Sequence, residues 1–101
     1  MADARFDAQL IEAAPRNFVV STELGEGLAL LDLRSNVYFS LSEVGTLVWD
    51  AIQEPTTRAD LVRRITDVYD VGADECASDL DALLGELWDA KLIEVRPAAG
   101  A

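Results

Sequence analysis

The sequence predicts a single α+β domain of the winged helix-turn-helix class, a three-stranded antiparallel sheet followed by three helices. Three observations carry this expectation. Two turn signals, Gly25-Glu26-Gly27 and Ser35-Asn36, divide residues 18–41 into three short β-rich runs. After Ser42 the apolar spacing changes from alternation to a helical period. Helix-start residues then recur at Ser42, Thr57 and Asp74, with only the break Asp70-Val71-Gly72-Ala73 between the last two helical segments.

The chain has 101 residues, half of them apolar, which suffices for one core and leaves no material for a second. Residues 1–16 carry Phe6, Leu10 and Ile11 at helix-like spacing but soon meet Pro15, so they are expected to be a loosely held arm. The domain is expected over 17–96. Phe18–Leu24 is rich in Phe, Val and Thr and forms the first strand. The glycines that follow supply a reversal, and neither phosphate-cradle pattern is present around them. Leu28–Arg34 is the second strand. Ser35-Asn36 turns the chain, since Asn tolerates the left-handed conformation. The third strand, Asn36–Leu41, is then the edge of an antiparallel meander. Val37, Phe39 and Leu41 share its core face, and Tyr38 and Ser40 its other face.

Ser42 is an N-cap followed by Glu43 in the positive first turn, and the helix it opens runs to Gln53. Val44, Leu47, Val48, Ala51 and Ile52 lie on one side of it, and Trp49 seals an edge of the core. Gly45 within the first turn implies close packing against a neighbouring element. Pro55 ends this helix, and Thr57 with Asp60 forms a short capping box for the next, whose buried stripe is Leu61, Ile65, Val68 and Tyr69. Asp74 is expected to cap a third helix, on which Cys76, Leu80, Leu83 and Leu87 cluster, with Ala77, Leu84 and Trp88 widening the apolar face. Lys91–Val95 suits a short final strand or wing, and residues 97–101 a disordered tail.

Composition narrows the function. No histidine occurs, which removes the commonest general base and transition-metal ligand, so no catalytic residues, metal or cofactor are expected. The single cysteine, Cys76, cannot form an internal disulfide and suits a reducing compartment. No apolar run reaches the roughly 18 residues that span a bilayer, and Asp3 and Asp7 stand where a signal peptide needs basic charge. A cytoplasmic protein without membrane contact is therefore expected. Nineteen acidic residues against eight basic ones give a net charge of -11. The winged-helix alternative, a transcription regulator, is disfavoured on this count. Its recognition helix would carry Asp74, Glu75, Asp79, Asp81, Glu86 and Asp89 with no cation before Lys91, and DNA would be repelled.

A positive function comes from the edge strand. Proteins block exposed edges with Lys, Pro or bulges, and neither Lys nor Pro occurs between Asn36 and Leu41. Such an edge can take another chain's strand by backbone pairing, while pockets beside it select side chains.

The run from Gly27 to Asp50, Gly-Leu-Ala-Leu-Leu-Asp-Leu-Arg-Ser-Asn-Val-Tyr-Phe-Ser-Leu-Ser-Glu-Val-Gly-Thr-Leu-Val-Trp-Asp, resembles the PqqD-like proteins, especially the stand-alone chaperones of lasso-peptide biosynthesis. The spacing from Thr57 through Leu61 and Tyr69 to Asp79, Leu83, Leu87 and Leu92-Ile93 is similar to that family too, so the likeness covers roughly 18–95. The resemblance implies a recognition element for ribosomally synthesised, modified peptides, which is not an enzyme. It would bind the leader of a precursor peptide and present it to a separate leader peptidase, cyclase or radical enzyme. It implies, as peptide-binding residues, the strand Asn36, Val37, Tyr38, Phe39, Ser40 and Leu41 and the helix face Ala77, Leu80, Asp81, Leu84 and Trp88. Glutamate at Leu84 or Trp88 is then expected to weaken binding and leave the fold intact. A chaperone for a radical SAM enzyme is the alternative within the family, and a homodimer through the same edge is compatible with the sequence.

Overall fold

The computed structural model describes residues 9–14, 19–25 and 27–97. Its elements are β1 (Gln9–Ala13), β2 (Val19–Leu24), β3 (Gly27–Asp32), β4 (Val37–Leu41), α1 (Glu43–Ala51), β5 (Thr56–Thr57), α2 (Arg58–Val68), α3 (Ala73–Asp89) and β6 (Ile93–Pro97). The α+β winged architecture stands, with three helices in the expected order. One difference is a second antiparallel sheet. β2-β3-β4 form the expected meander, whereas β1 lies between β5 and β6 in a sheet of its own.

That sheet corrects the reading of the N-terminal segment. Gln9–Ala13 is not a loose arm but a central strand, pairing Ile11 with Val95 on one side and with Thr56 on the other. Alternation sends Ile11 into the core, where it has no exposed surface. The strand's end is tied by Ala13 N–H donating to the Ile52 carbonyl at 2.7 Å and Ala14 N–H to that of Leu92 at 3.0 Å. Pro97, expected in the tail, ends β6. Phe6, Pro15 and Phe18 lie outside the described residues, as do residues 98–101.

In the meander, Leu30 faces Phe39 and Leu28 faces Leu41, so these four share the inner face. Gly25, at φ 60°, makes the first reversal, and Asn36, at φ 58°, the second. The second strand stops at Asp32, short of Arg34, because the Asp32 carboxylate accepts from the Arg34 backbone N–H at 2.9 Å and folds residues 33–36 into the turn.

Ser42 caps α1, accepting from Gly45 N–H at 3.2 Å. A Cβ on Gly45 would stand 3.2 Å from Leu41 Cβ, which is the close packing the glycine implied. Thr57 caps α2 through Asp60 N–H. The reciprocal half of a capping box is replaced, since the Asp60 carboxylate accepts from the Thr56 hydroxyl, Arg63 and Arg64. α3 starts at Ala73 with Gly72 as its cap and no side-chain bond, so Asp74 lies inside its first turn and is not its cap. Val68 departs from the expected stripe and is 64% exposed. The core is one cluster, in which Ile11, Leu30, Val48, Ile52, Leu61, Leu84 and Leu87 draw on both sheets and all three helices.

Candidate peptide-binding site

β4 is an edge among the described residues: β3 pairs with one side of it and no described strand with the other. Its inner face opens progressively. Leu41 is buried, Phe39 half-buried and Val37 half-exposed. The strand thus lifts from the core at the Val37 end, and a cavity of about 400 Å³ lies beneath it. The floor is apolar, made by Leu30, Val37, Phe39, Ala90 and Leu92, and charged residues Asp32, Arg34, Asp89 and Lys91 line it as well. Asp32 and Arg34 hold each other in a two-point contact, Nε to Oδ1 at 3.2 Å and the terminal nitrogen to Oδ2 at 3.1 Å. That contact keeps the Asp32 carboxyl below its ordinary pKa and raises the Arg34 guanidinium.

The helical wall of this cavity is not the expected face of α3. It is the segment Asp89–Leu92, where the helix ends. Leu92 N–H donates to the Leu87 carbonyl at 2.9 Å and Lys91 N–H to that of Trp88 at 3.0 Å, a Schellman closure. Lys91 takes the left-handed position at φ 62°, where glycine is the usual residue, at a cost of about 1–2 kcal/mol. Of the two described non-glycine residues at positive φ, Lys91 lines this cavity and Asn36 stands in the chain between its lining residues Ser35 and Val37.

The α3 residues named from the sequence are distributed differently. Leu80 and Leu84 are core, 2% and 0% exposed, so neither forms a free surface. Asp81 is buried and bound to Arg58, with Nε to Oδ1 at 2.6 Å and the second contact at 2.9 Å. Ala77 is half-buried. Trp88 is 40% exposed, but in a different groove, with Glu12 and residues 93–96 of the second sheet. None of the five lines the cavity under β4. The expectation for glutamate at Leu84 is overturned accordingly, because a charge there would enter the core. That Ala90, Lys91 and Leu92 line the cavity was not legible in the sequence, because a helix end carries no periodic signal. The lack of a glycine after α3 was the one available clue.

Burial and the nearby Asp79 push the Cys76 thiol up, against the lowering by Arg58, as suits a packed side chain. No group of His, Cys, Asp or Glu able to hold a metal occurs among the described residues.

The sequence profile described as coenzyme PQQ synthesis protein D (PqqD) matches residues 27–93. The chain belongs to the PqqD family. No curated protein sequence matches it. Two solved structures share the PqqD-family fold seen here. One, TbiB1 in complex with the TbiA(beta) leader peptide, is 28% identical at a TM-score of 0.69, covering 82% of this chain and 94% of its own. The other, lasso peptide synthetase B1 complexed with the leader peptide, is 23% identical at a TM-score of 0.69, covering 83% and 96%. The PqqD-family match begins at Gly27 and so takes in β3, β4 and all three helices, leaving β1 outside it.

Proposed function

We propose that this protein binds the leader segment of a ribosomally made precursor peptide and presents it to a separate maturation enzyme, the leader peptidase or cyclase of lasso-peptide biosynthesis. The observation that carries this is the β4 edge, unpaired among the described residues, lifting over a cavity with an apolar floor. The two structural relatives, both leader-peptide complexes, support it. The leader adds as a strand beside β4, so that its backbone satisfies the edge and one of its side chains enters the cavity walled by Val37, Phe39 and Leu92. Filling such a pocket contributes about 1.5–3 kcal/mol, while ordering a free peptide costs about 2–5 kcal/mol. Two or three anchors are needed. The role is binding rather than catalysis, exercised in the cytoplasm where the precursor is made.

Fluorescence anisotropy with the leader encoded beside this chain tests the reading, with sub-micromolar affinity, about -8 kcal/mol, expected. Val37→Asp places a charge in the cavity at a half-exposed position, and should weaken the complex tenfold or more without changing the circular dichroism spectrum. Failure of the folded protein to bind any part of the leader would remove the proposal.

The family description favours one second reading, a chaperone for a radical SAM enzyme in quinone-cofactor synthesis. Co-purification with such an enzyme instead of a peptidase decides between them. A second copy pairing at β4 would compete with the leader and appear as a dimer that leader addition dissociates.

A further inference from the structure

A second cavity, about 610 Å³, lies between α1 and α2 and shares no lining residue with the cavity under β4. Its apolar lining comes from Leu47, Ala51, Val68 and Tyr69. Val68, which leaves the buried stripe of α2, lines this cleft at 64% exposure, and Val71, three residues on, is 39% exposed. One exposed valine on a helix is unremarkable alone; Val68 gains meaning from the Leu47, Ala51 and Tyr69 that line the same cleft.

Charge then says what fits there. Glu43, Asp50 and Asp67 line the cleft, and none is in an ion pair with any described residue. The one cation in the lining, Arg64, is engaged by Asp60 at 2.7 Å, and the same carboxylate holds Arg63. The cleft therefore offers an apolar floor and three uncommitted carboxylates, on a chain of net charge -11. A neutral or acidic segment would gain nothing from those carboxylates, whereas Lys or Arg flanking aliphatic residues would answer both features.

We propose that the α1–α2 cleft docks a basic amphipathic segment of a protein partner, leaving the β4 edge free for a bound peptide. The choice of a second protein as occupant rests on the peptide-capture reading above; the chemistry of the cleft does not. Helix-in-groove docking needs anchors at helical spacing, and the cleft between two helices supplies the complementary trough.

The test uses two fluorescein-labelled 18-residue helical peptides with one shared leucine stripe, flanked by arginine in one and glutamate in the other, at 0.15 M salt. The arginine peptide is expected to bind, with amide shifts in ¹⁵N spectra concentrated over residues 43–51 and 64–71. Reversal of Asp50→Lys with Asp67→Lys should weaken it at least tenfold. Reversal of Asp74→Lys with Glu75→Lys, the same charge change on exposed α3, should weaken it less than twofold. Leader affinity should be unchanged by the cleft pair. The inference is overturned if the arginine peptide does not bind, if shifts spread over the whole acidic surface, or if both reversals act alike. Loss of leader binding in the unmodified protein would sink the capture reading alone.

Discussion

Leu84 has no exposed surface, so Leu84→Ala removes buried methyl groups and leaves a cavity that the helix cannot close. A loss of about 2–5 kcal/mol is expected, read from the urea midpoint. No comparable loss is expected from Trp88→Ala, whose ring is partly in solvent; equal losses would contradict the burial difference. Asp60 is legible in another way. Hydrogen bonds from Arg64, Arg63 and Thr56 hold its carboxyl down at about 2, against an ordinary 3.8. The folded pKa is the lower one, so its contribution is complete above 3.8 and disappears as pH falls through about 2. Asp60→Asn should cost about 0.5–1 kcal/mol at neutral pH, discounted for solvent around the pair, and nothing below pH 2. Urea midpoints measured from pH 2 to 7 check both the size and the direction.

At the scale of elements, the helices and the meander could be read because each carries its own signals. Ser42 and Thr57 cap α1 and α2 by local geometry, and Asn36 turns the chain by its own tolerance of positive φ. β1 had no such signal. Gln9–Ala13 is five residues whose spacing suits helix as well as strand, and its partners are remote in the chain. The proposed binding strand was legible for the same reason as the meander, whereas the opposite wall was not, since α3's periodicity identifies the buried stripe and says nothing about where the chain goes after the helix ends. Buried Leu80 and Leu84 satisfied that stripe and were mistaken for a groove. Removing residues 1–13 should therefore unfold the domain rather than trim an arm, as seen by loss of a cooperative thermal transition. Retention of the transition would show that β5 and β6 are stable without β1.

For the whole molecule, charge and shape act together. An acidic surface excludes polyanions, and among the described residues no helix is long and apolar enough to cross a membrane. As proposed, peptide and protein recognition occupy two regions. One is a strand edge with a cavity at its lifted end; the other is a cleft between helices on separate residues. A leader held at the first leaves the second available.

The pairing of β1 with β6 also sets an order of events. The first described strand finds its longest partner in the last described one, so Ile11 cannot meet Val95 until everything between them has left the ribosome. Closing so long a loop is slow compared with forming the meander or a helix pair. The meander, whose contacts are all between neighbours in sequence, can assemble first and expose the β4 edge before the second sheet has closed. Nascent chains would thus pass through a stage with an open edge and an incomplete core, which is when one copy is most prone to pair with another.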